Sequence, residues 1–201
     1  MSDPLHTTDQ RVEELLLATS ALERGHFMLQ SGHHSDQRLE PMLLLQQEST
    51  VAEIAQVLAS QSRALVDAMG GAIDLVVGAT ADVSALAEEV GRILGVRSVV
   101  AGDGFREVAP PRARVLLVTD DLETGDPIQL LLPMLYAAGA HPIAAAVVTC
   151  RTPGLTEIEA EGRDPIPLIT AITLDLPTYE PVDCPLCAAG EPIGAPGSSA
   201  R

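Results

Sequence analysis

The chain of 201 residues contains no lysine; all twelve of its basic residues are arginine. That absence excludes Schiff-base catalysis, a P-loop lysine and every phosphate clamp built on an ammonium group. Positive charge is scarce as well. Twelve arginines stand against 28 Asp and Glu, giving a formal net charge of −16 and a pI near 4.5. This balance argues against a nucleic-acid binder, because releasing counterions from a phosphate backbone requires clustered cations. Cys150, Cys184 and Cys187 are too few for a disulfide framework in a chain this long. The N-terminal MSDPLHTTDQRVEE has neither the charged nor the apolar region of a secretory leader. One uncharged stretch, residues 127–150, is long enough on count to span a bilayer. Pro133, Gly139 and Pro142 interrupt it, which predicts a helix, a turn and a buried strand instead. The expectation is a soluble cytoplasmic protein with neither a membrane nor a nucleic acid as partner.

A hydrophobic content of 46% and a mean hydropathy of +0.22 exclude a disordered acidic chain. Asp9 can cap a helix running to about Arg24, with Val12, Leu15, Leu16 and Leu22 on one side. GHFMLQSGHHSDQRLE reads as a short strand and turn. Thr50 and Glu53 form a capping-box pattern, predicting a helix through about Met69. Beyond Gly70 and Gly71 come four continuous apolar runs, at residues 73–78, 96–102, 113–121 and 143–149. Such runs mark strands buried on both faces. Helices are predicted between them, from about Asp82 to Leu94 closed by Gly95, and from about Pro127. Alternation of this kind predicts an α/β fold with a parallel sheet flanked by helices. The expected organisation is one domain over residues 1–201. An N-terminal helical segment would occupy 1–48, the α/β core 49–150, and a proline-rich segment packing on that core 151–201.

In parallel sheets ligands bind beyond the carboxyl ends of the strands. Two junctions qualify, GATADVS after the first strand and TDDLETGDP after the third. In the second, Asp120, Asp121, Thr124 and Gly125 form a candidate ligand site, suited to hydroxyls and a metal beside a helix N-terminus. The same segment also reads as an ordinary capped loop, with Asp126 as N-cap and Pro127 at the first helical position.

Four segments in order resemble the type I phosphoribosyltransferases, and specifically orotate phosphoribosyltransferase. They are LERGHFMLQSGHHSD (22–36), IDLVVGATADVSALAEEVGRILGV (73–96), ARVLLVTDDLETG (113–125) and LDLPTYEPVDCPLCAAGEPI (174–193). The resemblance implies a parallel sheet with a small hood formed by N- and C-terminal segments, assembled as a homodimer. It implies binding of phosphoribosyl pyrophosphate (PRPP) with Mg²⁺, and transfer to orotate to give orotidine monophosphate in pyrimidine biosynthesis. Asp120 and Asp121 would take the ribose hydroxyls and the metal. A glycine-rich loop at a helix start would hold the 5′-phosphate, and lysines and arginines on a mobile loop would stabilise departing pyrophosphate.

Against that pattern the acid pair stands and three elements depart. Family members follow it with two threonines, two glycines and a serine or threonine. Here the run is Glu123-Thr124-Gly125-Asp126-Pro127, where Pro127 offers no N–H and Asp126 places a carboxylate in the phosphate position. The pyrophosphate loop, residues 78–82, lacks paired glycines and ends in Asp82, itself a suitable helix N-cap. The long lysine-bearing hairpin between the second and third strands is missing. AGDGFREVAPPRARV joins them directly, with Arg106 as the base at mid-loop and Arg112 and Arg114 read as surface charges flanking the third strand.

The remaining candidates carry less chemistry. Neighbouring residues point apart in an extended segment, so His33 and His34 do not read as a paired metal or acid–base site. Arg38 reads as a surface charge within reach of an anionic base. Cys184 and Cys187 have zinc-knuckle spacing, but a zinc site needs further ligands from elsewhere in the chain or from a second subunit. Otherwise they are two buried or tail-packing thiols. Pro133 is expected to kink or shorten its helix. Three functions follow: an inactive relative with a binding, regulatory or structural role toward a nucleotide or PRPP-like ligand; an active transferase; or a cation site at residues 120–126. The departures favour the first.

Overall fold

A computed structural model describes residues 4–29, 31–102, 110–123 and 126–194. Two antiparallel strands, β1 (Leu22–Met28) and β2 (His34–Leu39), form a separate hairpin after helix α1 (Pro4–Ala18). A short helix α2 (Met42–Leu45) and the long α3 (Glu48–Ala68) lead into the sheet. Then follow β3 (Leu75–Gly78), α4 (Ser84–Leu94), β4 (Arg97–Val100), β5 (Arg114–Leu122), α5 (Asp126–Ala137), β6 (His141–Cys150), β7 (Glu157–Ile158), β8 (Ile166–Thr173) and the short α6 (Pro185–Ala188). The six strands lie in the order β4-β3-β5-β6-β8-β7. All neighbours are parallel except the edge pair β7–β8.

The apolar runs become strands because both faces of the sheet are covered. On one face Val12, Leu16, Ile54, Leu58, Leu86 and Val90 of α1, α3 and α4 pack on Val76, Leu116, Val118, Ala146 and Val148. On the other, Ile128, Leu132 and Leu135 of α5 pack on Leu75, Val77, Val115, Leu117, Ala145 and Val147. Each fully buried Leu or Val contributes about 1.5–3 kcal/mol relative to exposure. None of the helices among the described residues is long and apolar enough to cross a membrane; the uncharged stretch is α5 followed by β6.

Several element ends differ from expectation. The first helix stops at Ala18, with Ser20 in the left-handed region (φ 58°), and Leu22 opens β1 instead of continuing the helix. The capping box does not form. Helix α3 begins at Glu48, and the Thr50 hydroxyl donates to the carbonyls of Leu44 and Gln47 instead of accepting an N–H. Glu53 instead takes Arg11 of α1 in a two-point ion pair, at 2.9 and 3.1 Å. Asp82 sits in a 3₁₀ turn (Ala81–Val83), and α4 begins at Ser84 with no side-chain cap bond. The other end of α4 agrees with expectation. Gly95 adopts φ 76°, and the Val96 N–H returns to the Gly91 carbonyl. Pro133 lies within α5, which continues through it to Ala137.

Candidate functional site

Strand β3 is followed by β4 on one side, and the chain then crosses back over β3 to lay down β5 on the other. The direction of winding therefore reverses between β3 and β5, which opens a crevice at their carboxyl ends. Gly78 of β3 pairs with Val118, so β5 projects four residues beyond its neighbour. Those four are Thr119, Asp120, Asp121 and Leu122, and the acid pair thus stands at the mouth of the crevice.

Successive side chains leave a strand on opposite faces, so the two acids do not converge as a bidentate pair. Asp120 Oδ1 accepts from the Thr119 hydroxyl at 3.2 Å. Asp121 is held more closely. Its Oδ1 accepts from the Thr149 hydroxyl at 2.6 Å, and its Oδ2 meets an Arg151 Nη at 2.6 Å. Thr149 is the register partner of Asp121 on β6, and Arg151 follows directly at the end of that strand. Arg151 also lies 3.6 Å from Glu123, and its buried Nε has no hydrogen-bond partner among the described residues. The arginine was not identified from sequence. Its position two residues beyond a predicted strand, beside the strand carrying the acids, was the available signal.

Thr124, Gly125 and Arg106 lie outside the described residues, as do the side chains on which capping by Asp126 and Pro127 would rest. The loop at residues 78–82 is described. The Ala79 N–H is already bonded to the Val118 carbonyl at 2.8 Å and is unavailable to an anion. A Cβ on Gly78 would come within 3.2 Å of both Ala87 and Val83, so this glycine serves close packing of α4 on β3. Thr80, Ala81 and Asp82 are exposed.

Arg114 and Arg38 both have partners. Arg114 clasps Asp74 at 2.7 and 2.8 Å, which holds the Asp74 carboxyl down at about 2. Arg38 pairs with Glu23 and, at 3.5 Å, with Glu40, and its guanidinium lies over the Phe27 ring. His33 bonds Glu180 at 3.0 Å on the surface, while His34 turns into the protein. The two histidines do point apart. Cys150 is fully buried, and burial raises its thiol pKa. Cys184 and Cys187 do not stand alone: His26 and His34 of the hairpin face them. His26 was missed as a candidate because a β-bulge shifts the strand alternation and so places it on the face of His34. Two clefts, of about 530 and 510 Å³, lie away from the crevice, one beside α5 and one between α3 and α4.

No protein-family model matches the chain. Curated proteins do. The orotate phosphoribosyltransferase of Acidithiobacillus ferrooxidans is 32% identical over 200 residues, covering 95% of this chain and 97% of the relative. That of Caldicellulosiruptor bescii is 31% identical over 187 residues, covering 90% and 92%. Among solved structures, the orotate phosphoribosyltransferase of Aeropyrum pernix superposes with a TM-score of 0.61 at 23% identity, over 81% of this chain and 93% of that one. A phosphoribosyltransferase from Corynebacterium diphtheriae gives 0.60 at 17% identity, over 84% and 97%. These structures share the sheet flanked by helices.

Proposed function

Because the chain belongs to the orotate phosphoribosyltransferase family, we propose that it is a member in which PRPP-dependent transfer is strongly attenuated. In this reading it binds a nucleotide or PRPP-like ligand in a regulatory or structural role linked to nucleotide metabolism. The observation that carries the reading is the state of Asp121, both of whose carboxylate oxygens are engaged by groups of the protein itself.

Transfer chemistry breaks a C–O bond at an anomeric carbon, so it needs a fixed ribose and a stabilised pyrophosphate leaving group. Members of this family depend in general on Mg²⁺, which would neutralise pyrophosphate charge. The residues present fit that ion poorly. To serve it, Asp121 would have to give up a 2.6 Å contact with a guanidinium, and the cation approaching it would meet Arg151. The lysines that would accompany the leaving group do not exist in this chain. Thirteen residues, 101–113, join β4 to β5. Removing one electrostatic stabiliser of a developing charge costs about 10²–10³ in rate, and several are missing here. The Arg151 Nε, which has no partner among the described residues, supports a binding role, because an acceptor on a small anionic ligand would satisfy it. The same arginine weighs against a simple cation site at residues 120–126.

A second reading, an active enzyme making orotidine monophosphate and pyrophosphate from orotate and PRPP, is favoured by two observations. The relatives bearing that name align over nine-tenths of the chain, and the acid pair stands at the winding reversal. Titration calorimetry with Mg²⁺-PRPP and an assay for orotidine monophosphate separate the two readings. Absence of micromolar PRPP binding, with turnover at background, is the expected result. Micromolar binding followed by turnover overturns the first reading and establishes the second.

A further inference from the structure

The hairpin and the C-terminal tail meet at four side chains whose donor atoms all lie within 4.8 Å of one another: His26, His34, Cys184 and Cys187. The individual separations are informative. His26 Nε2 lies 3.0 Å from His34 Nδ1 and 3.6 Å from each of the two sulfurs, and His34 Nδ1 lies 3.3 Å from Cys187 Sγ. A tetrahedral zinc ion, with bonds of about 2.05 Å to nitrogen and 2.3 Å to sulfur, sets N–N edges near 3.3 Å and N–S edges near 3.6 Å. The four separations fall within about 0.3 Å of those edges, and all the donor atoms lie within 4.8 Å of one another. We propose that His26, His34, Cys184 and Cys187 form a structural Cys₂His₂ zinc site that staples the C-terminal tail to the N-terminal hairpin.

The surroundings supply what such a site needs. His26 Nδ1 donates to the Glu191 carbonyl at 2.8 Å, which leaves Nε2 unprotonated and aimed at the cluster. A fixed tautomer with an outer carbonyl partner is the usual arrangement of a metal-binding imidazole. The β1–β2 register explains how His26 reaches the site. Arg24 pairs with Gln37 and Phe27 with Ser35, so two residues of β1, Gly25 and His26, stand opposite one of β2. The extra residue shifts the alternation, so that His26 lies on the hairpin face that carries His34 and Phe27 lies on the other with Leu22. Cys184 immediately precedes α6, and Cys187 lies within it one turn later. No carboxylate belongs to the cluster, and two thiolates with two imidazoles select zinc over Mg²⁺ or Ca²⁺.

The tail is already directed to this place. It leaves β8 beside Cys150, where the Leu174 N–H bonds the Cys150 carbonyl, and then pairs Tyr179 with His34 through two 2.8 Å backbone bonds. Ser35 donates to the Pro177 carbonyl, and the Gly194 N–H bonds the His26 carbonyl. A metal here closes a loop of about 150 residues between His34 and Cys184, and ties the tail to the hairpin. The proposal does not rest on the catalytic reading.

The test uses the full chain, reduced and desalted without oxygen. Zn²⁺ alone should bind at one equivalent per chain, as read by native mass spectrometry and elemental analysis. Co²⁺ substitution should give the intense visible bands and thiolate charge-transfer absorption of a tetrahedral S₂N₂ site. Hydrogen exchange across residues 174–194 should slow on zinc addition. Cys187→Ser, at an exposed position, should keep the far-UV spectrum while losing the cobalt bands and weakening zinc by more than about tenfold. His33→Asn, one residue outside the cluster, should bind as wild type. Failure to bind zinc at micromolar concentration, cobalt bands that survive Cys187→Ser, or isolation of the reduced-cell protein as a Cys184–Cys187 disulfide would each overturn the proposal.

Discussion

Asp74 shows how much a single side chain can set in this sheet. It lies just before β3, and its carboxylate accepts from Arg114 three times, from the backbone N–H at 2.9 Å and from the guanidinium at 2.8 and 2.7 Å. The Asp74 N–H in turn bonds the Arg114 carbonyl, so one residue pair registers the start of β3 against β5. These hydrogen bonds lower the carboxyl from 3.8 to about 2. A carboxyl depressed on folding contributes stability above its unfolded value and loses it as pH falls toward its folded value. Asp74→Asn is therefore expected to destabilise the protein near neutral pH by about 0.5–1 kcal/mol, since solvent screens this partly exposed pair. The gap from wild type should narrow as pH falls below about 4, in the window between 3.8 and 2. Urea unfolding of both proteins between pH 7 and 3 checks this. A gap that widens with acid contradicts the ion-pair account.

At the scale of elements, the central strands were legible because each is a continuous apolar run covered on both faces. Helix ends were less so. Thr50 and Glu53 match the capping pattern, but tertiary partners claimed both side chains, the hydroxyl for α2 and the carboxylate for Arg11. The metal-type cluster was half legible. The Cys184–Cys187 spacing marks one corner, whereas His26 depends on a bulge and His34 on a tail-to-hairpin pairing 145 residues apart in sequence. No local pattern encodes either. Arg151 was missed for a related reason, because its partner Asp121 is a neighbour only across the β5–β6 register. Helix α4 supplies a prediction at this scale. A Cβ on Gly91 would lie 3.0 Å from the Val96 carbonyl oxygen and 3.1 Å from Ser98 Cβ, and a backbone carbonyl cannot swing aside. Gly91→Val should therefore lift α4 from β4 and cost about 3 kcal/mol. Gly95→Ala, with open space but φ 76°, should cost only about 1–2 kcal/mol in backbone strain. Chemical denaturation ranks the two. Equal losses would mean that α4 does not approach β4 this closely.

For the whole molecule the governing quantity is the surplus of 16 negative charges, 28 acids less 12 arginines. The described arginines are mostly committed to nearby acids, at Glu53, Asp74, Glu89, Glu13, Glu23 and Asp121. The unmatched acids therefore repel one another over the surface without a basic patch to offset them. The two interactions respond differently to salt. Ion pairs at 2.6–3.2 Å are much shorter than any screening length, whereas repulsion across 10–20 Å is sensitive to it. The Debye length falls from about 30 Å at 0.01 M to about 8 Å at 0.15 M, which removes most of the long-range term and little of the pairing. Sodium chloride over that range should therefore raise Tm, by about 2–4 °C for each kcal/mol of relieved repulsion. The chloride salt is the proper choice, since sulfate would add stabilisation through exclusion from the surface. The effect should be largest near neutral pH and shrink as the carboxylates protonate, because the repelling charge itself disappears. A flat or falling Tm at pH 7 would mean that the acids are paired in the folded state more completely than the ratio of 28 to 12 allows, with bound cations as the missing partners.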